Sequence, residues 1–230
     1  KRVRTRLFVL AVAQDGAEVQ TGYSAPGKSV GLELFDLYPP KAVGEKAARQ
    51  ALTNLKARPA PAGTFPVVVG PGFGGVLFHE AVGHLLETTS VARKASVLAD
   101  KLGEVVASPA VTYIDDGTLP HAWGSTEMDD EVRPTERTVL IEKGVLKSYM
   151  VDRLGHLLTG YPMTGSGRRQ DYTFAPTSRM RNTFLAPGEA RVEDLFAGIA
   201  FGLYAKEMGG GQVKPGSGEY NFAVQEGYII

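Results

Sequence analysis

The sequence predicts an α+β fold. Mixed or antiparallel β-sheets are joined by hairpins, with a few short helices and one helix bearing two histidines directly after a glycine-rich loop. Three observations lead there. Short apolar-alternating runs are bounded by turn dipeptides such as Asp15-Gly16 and Lys143-Gly144. Glycine is plentiful, at 28 of 230 residues, which favours turn-rich β structure with short helices. One stretch, about Lys41 to Lys56, keeps helical periodicity over several turns through Ala42, Val43, Ala47, Ala48, Ala51, Leu52 and Leu55.

In chain order, KRVRTR followed by LFVLAVA imitates a signal peptide, with a basic start and an apolar middle. The apolar run is minimal, however, and the alternation of Val3, Arg4, Thr5, Arg6 and Leu7 reads as a strand turning at Asp15-Gly16 into AEVQTGY. A chain opening on Lys1 is expected to be a piece of a longer polypeptide. Val30 to Leu37 is expected as a strand, and the helix from Lys41 closes at the Pro-rich RPAPAG. Thr64 to Val69 is β-rich, the loop 70-GPGFGG-75 follows, and the histidine helix comes next. Ala110 to Ile114 reads as a strand ending in an Asp115-Asp116-Gly117 turn. Thr138 to Met150 reads as a hairpin, Val192 to Gly198 as a short helix, and Gln212 to Ile230 as a hairpin around 215-PGSG-218. Residues 158–180, rich in Gly, Pro, Thr and Arg, read as a long surface loop.

Composition removes several function classes. The 25 basic and 25 acidic residues cancel, so charge argues neither for nucleic acid nor for an anionic membrane surface. No apolar run approaches the ~20 residues of a membrane span. The absence of Cys excludes disulfides and thiolate metal ligands within these residues, and fits a reducing compartment.

The chemistry concentrates in 78-FHEAVGHLLE-87. His79 and His84 lie five apart, whereas the familiar zinc-peptidase helix spaces its two histidines by four. Five residues advance an ideal helix by about 500°, leaving the two side chains about 140° apart. They can share one ion only if the helix is distorted, by a π-bulge or an early end, and Gly83 lowers the steric cost of either. A regular helix through His84 counts against a metal site. Glu80, beside the first histidine, is placed to act as general base towards a metal-activated water attacking a peptide carbonyl. The plainer reading makes both histidines hydrogen-bonded structural groups.

The glycine loop offers a rival, since Gly70, Gly72 and Gly75 satisfy G-x-G-x-x-G between a β-rich run and a helix. The confirming acidic residue about 20 positions on is missing from 91-VARKASVLAD-100. A turn that lets strand and helix pack closely is the better account.

Together these residues resemble the TldD/PmbA family (modulator of DNA gyrase) of metalloproteases. The likeness runs from VVVGPGFGGVLFHEAVGHLLE through IDDGT, VLIEKGVLKSYMVD and TGSGRRQDY to GGGQV, nearly the whole chain. It implies that His79 and His84 ligate Zn2+ and that Glu80 is the catalytic carboxylate of a cytoplasmic peptidase acting on unfolded or short peptides. It also implies a homodimer, or a heterodimer with a related PmbA/TldE-like subunit, in which this chain is the catalytic type. Residues 1–230 would then form the family's catalytic C-terminal domain, without its N-terminal domain. The family's third ligand is a cysteine in a Gly-rich segment near the C-terminus, and no residue here is cysteine. The alternative is a non-catalytic subunit or peptide-binding module with an incomplete metal site.

Glu87, His121 and His156 are the substitutes available for a third ligand. Asp115-Asp116 and Asp129-Asp130-Glu131 read as solvated turn acids. Arg168 and Arg169 could grip a peptide carboxylate or carbonyl. Trp123 and the aromatics of the last hairpin read as packing groups.

Overall fold

Of the alternating run Val3 to Leu7 only Thr5–Arg6 is strand, and the hairpin into AEVQTGY is made by a separate strand that starts at Val9. The computed structural model describes residues 2–230 and places β1 at Thr5–Arg6 and β2 at Val9–Asp15. The chain turns through Gly16 into β3 (Glu18–Ser24), and β4 (Gly27–Lys28) returns to pair with β1. The strand expected over Val30 to Leu37 does not form. That segment ends in one helical turn, α1 (Leu34–Leu37), in which Leu34 alone is buried. Leu32, Phe35 and Leu37 face outwards, so the apolar letters there do not share a sheet face. Pro40 opens α2 (Pro40–Leu55), where a missing N–H costs nothing. The helix buries Val43, Ala47, Gln50 and Ala51 and packs along the β2–β3 hairpin.

After the Pro-rich connection come β5 (Val67–Gly72), α3 (Gly75–Ala81), a 3-10 turn (Gly83–Leu86), α4 (Thr88–Val91) and β6 (Tyr113–Asp116). β7 (Arg137–Glu142) and β8 (Val145–Leu146) make the expected hairpin, with Lys143 and Gly144 at φ 47° and 84°, the left-handed pair a tight hairpin needs. α5 (Arg153–Thr159) starts on Asp152, whose carboxylate accepts the Gly155 N–H. β9 (Gly167–Arg168), β10 (Thr177–Ser178) and β11 (Thr183–Leu185) follow, and the long hairpin of β12 (Leu203–Lys214) and β13 (Glu219–Ile229) closes the chain.

The sheets are small and of mixed sense. One runs β11-β6-β7-β8, all antiparallel; another runs β13-β12-β5, with β12 antiparallel to β13 but parallel to β5. The main core gathers Leu86, Tyr113, Leu140, Tyr149, Met150 and Met180 between the first of these sheets and the segment after α3. Among the described residues no helix is long and apolar enough to cross a membrane.

Two further expectations are corrected. Residues 158–180 are partly interior: Thr164, Ser166 and Ser178 are buried, and β9 pairs with β10. Their hydroxyls make this possible, Ser178 Oγ donating to the Met150 carbonyl at 2.5 Å and Thr164 Oγ1 accepting the Val151 N–H at 2.8 Å. Asp115 and Asp116 belong to β6 and are buried, because backbone N–H groups of Arg181 and Thr118 reach their carboxylates at 2.7 and 2.8 Å. The glycine loop behaves as a packing device. Among the described residues β5 pairs with β12 alone, so no doubly wound parallel sheet surrounds the loop, and a Cβ on Gly72 would overlap the Lys206 carbonyl.

Candidate metal centre

α3 is seven residues long and stops at Ala81. Val82, at φ −126° and ψ −48°, leaves helical geometry, and the chain re-enters as the 3-10 turn carrying His84. The distortion that the five-residue spacing demands is therefore an interruption, with no π-bulge. Gly83 does not supply it through unusual backbone angles, since its φ is not positive. It is required by closeness: a Cβ there would collide with Met180 Sδ and lie 3.0 Å from the Tyr113 hydroxyl.

The interruption brings the two rings face to edge, with centroids 5.0 Å apart and planes at 86°. Two imidazoles on one tetrahedral zinc, with Zn–N near ~2.0–2.1 Å, have centroids separated by about 5 Å. The donor set therefore fits zinc. Ligand atoms of His79, Glu80 and His84 lie within 4.8 Å of one another, and no other such cluster of three occurs among the described residues. Atoms sharing one ion sit about 3.3 Å apart, a difference that side-chain rotation covers.

Each imidazole has a different support. Behind His84, Nδ1 is 3.2 Å from Glu87 Oε2, while Nε2 is 3.5 Å from Glu80 Oε2. Glu87 is 3% exposed and its Oε2 also accepts from Arg179 Nη1 at 2.9 Å. Behind His79, the Thr183 hydroxyl stands 3.4 Å from Nδ1. Burial, the neighbouring His84 and then Arg168 push His79 down to about 4, so its imidazole is neutral at neutral pH with a lone pair free for a metal. The Glu87 hydrogen bond leads the causes that push His84 up, against burial.

His79, Glu80 and His84 are thus brought together, and the other candidates are not. Glu87 faces the Nδ1 side of His84, away from the nitrogen that faces Glu80, and lies outside the cluster of three. His156, on α5, has its Nδ1 2.7 Å from the Tyr161 carbonyl, and His121 accepts the Ser29 N–H on its backbone carbonyl. Arg169 is tied to Asp130, whereas Arg168 makes no ion pair among the described residues and contributes its charge at His79. Asp129, expected to be solvated, is buried and accepts backbone N–H groups from Glu131, Arg133 and Gly167. Trp123 packs beneath the Arg4 guanidinium, 5.5 Å away. Sequence reasoning missed Arg179 and Thr183. Both lie about a hundred residues from the motif, on segments that only the tertiary fold carries to it.

Two imidazoles and a carboxylate thus stand close enough to hold a metal ion together. The PmbA/TldA metallopeptidase C-terminal domain matches residues 62–230, and the central domain of the same family matches residues 1–55. A metalloprotease TldD homolog of Haemophilus influenzae is 40% identical over 237 residues, covering 100% of this chain and 48% of its own length. A zinc metalloprotease TldD homolog of Saccharolobus solfataricus is 31% identical over 231 residues, covering 97% of this chain and 50% of its own. The crystal structure of TldE from Thermococcus kodakarensis shares the fold, with a TM-score of 0.79 at 22% identity, covering 99% of this chain and 51% of that one. The chain belongs to the PmbA/TldD metallopeptidase family. It spans about half the length of the curated relatives it matches.

Proposed function

We propose that this chain carries the metal-binding and proton-transfer residues of a zinc-dependent peptidase acting on unfolded or short peptides. The observation that carries the reading is the convergence of His79, Glu80 and His84 across an interrupted helix. His79 and His84 would hold the zinc, and the family's third ligand, a cysteine, is not among these residues. Zinc, when bound, supplies a Lewis acid that polarises a carbonyl and acidifies water. Glu80 accepts a proton from the attacking water on its carboxylate and returns it to the leaving amine nitrogen. His79 stays neutral through burial.

Arg168, which makes no ion pair among the described residues and whose charge is felt at His79, serves this reading as a group suited to a peptide carbonyl or carboxylate. The catalytic subunit pairs with a second copy or with a PmbA/TldE-like subunit in the cytoplasm. The name of the Saccharolobus relative supports zinc, and the shared fold with TldE supports a related partner.

The test is zinc content and peptide hydrolysis, measured on this chain and on one extended C-terminally through the expected cysteine. One tightly bound zinc and hydrolysis in the extended form support the reading. Absence of zinc in both forms makes the histidine segment scaffold and leaves a peptide-binding subunit.

A further inference from the structure

A carboxylate so nearly buried as Glu87 needs an account that the proton-transfer chemistry does not supply. Its Oε2 lies between two cations or cation-forming groups, 3.2 Å from His84 Nδ1 and 2.9 Å from Arg179 Nη1. Its Oε1 is buried with no partner among the described residues. An unsatisfied interior oxygen is unfavourable for stability alone, which suggests that the group is held for its direction. The backbone holds that direction from both sides. Glu87 bridges to Met150, and its carbonyl accepts the Ser90 and Val91 N–H groups at the start of α4. Arg179 is anchored by its own N–H to the Ser166 carbonyl at 2.9 Å and by its guanidinium to the Ser178 carbonyl at 3.0 Å.

We infer that Glu87, braced by Arg179, is the positioning residue of the centre: it holds the hydrogen of His84 on Nδ1 and leaves the Nε2 lone pair facing Glu80. The inference rests on the peptidase reading for its purpose, although the orientation itself is a property of the metal-free chain. An imidazole has one hydrogen to place when neutral. Of the two carboxylates beside His84 the nearer, Glu87 at 3.2 Å and fixed by Arg179, takes it in preference to Glu80 at 3.5 Å, which leaves Nε2 its lone pair for a metal. Among the described residues His79 has only a hydroxyl at 3.4 Å, which can donate or accept, so its tautomer is far less constrained. Glu87 is the residue that ends the 3-10 turn carrying His84, three positions on, and its carboxylate comes back to within 3.2 Å of the His84 ring.

The experiment reads the His84 tautomer by nitrogen-15 NMR on the metal-free chain, at a pH where the ring is neutral, and then titrates zinc alone. The wild type is expected to carry Nδ1–H at His84, and Glu87→Met, which keeps the length but removes the acceptor, to lose that bias. Zinc affinity should fall about 10–100-fold in Glu87→Met. An Nε2–H tautomer in the wild type, or a bias and affinity that survive Glu87→Met, overturns the inference. Should Glu87→Met fail to fold, Arg179→Gln releases the carboxylate from a partly exposed position, and Arg179→Lys should restore part of the bias. A wild type that shows the tautomer bias yet binds no zinc keeps the positioning of His84 and removes the peptidase reading.

Discussion

His79 rides the last turn of a regular helix with a hydroxyl behind it, whereas His84 rides a 3-10 turn with a buried carboxylate behind it. Burial without a strong partner pushes the first down to about 4, and a carboxylate hydrogen bond pushes the second up. Both arrangements present a nitrogen to the same point. One ligand is kept neutral by what surrounds it, and the other is oriented by what it touches. Changes on the two sides should therefore fail in different ways.

The largest effect is expected between the two supports. Glu80→Gln should lower kcat by about 10²–10⁴-fold while zinc content stays at the wild-type level. Loss of zinc with activity would instead make Glu80 a ligand, which its 3.5 Å approach to His84 Nε2 permits. Next comes the hinge. Gly83→Ala should cost about 1–3 kcal/mol in chemical denaturation, because Met180 and Tyr113 occupy the space. Gly75→Ala, at the start of α3 with nothing within 4 Å of the new methyl, should stay within about 0.5 kcal/mol. Equal losses at both glycines would show that the interruption has no special steric demand.

A third expectation separates the histidines by pH. His79 drops from 6.5 to about 4 on folding of the metal-free chain, so the unfolded state binds more protons between those values. Its stabilising contribution is fully present above pH 6.5 and is lost as pH falls towards 4. His84 has the opposite sign. Its raised pKa gives a contribution present below 6.5 and lost as pH rises through the folded value. His79→Asn should flatten the acid limb of a stability–pH curve by on the order of 1–2 kcal/mol, discounted for partial exposure. His84→Asn should flatten the other limb. The smallest effect belongs to Arg168→Ala, which should raise the His79 titration midpoint from about 4 and leave that of His84 in place. A shift of both would mean that Arg168 acts on the centre as a whole.

Much of this was legible in the letters, and the reasons differ by region. α2 and the hairpins at Gly16, Lys143-Gly144 and 215–218 follow from local periodicity and turn chemistry, which need no distant partner. The five-residue histidine spacing demanded a break, although its form as a 3-10 turn depends on Met180 and Tyr113 filling the space against Gly83. Val30 to Leu37 misled because apolar letters were read as a sheet face where the fold buries one leucine. Asp115, Asp129 and residues 164–178 misled because their polarity suggested solvent. Their partners are backbone groups from other parts of the chain, which a local reading does not see. Glu87 was noticed as a donor, but its direction became visible only with Arg179 beside it.

The interruption at Val82 also decides how portable the centre is. Two ligands on one unbroken helix travel together in any peptide that keeps the helix. Here the second ligand is placed by side chains from β6 and from the segment after β10, so a synthetic peptide spanning residues 70–90 should lack the arrangement even when made helical in alcohol. Grafting this motif onto another scaffold would require carrying a substantial part of the domain with it.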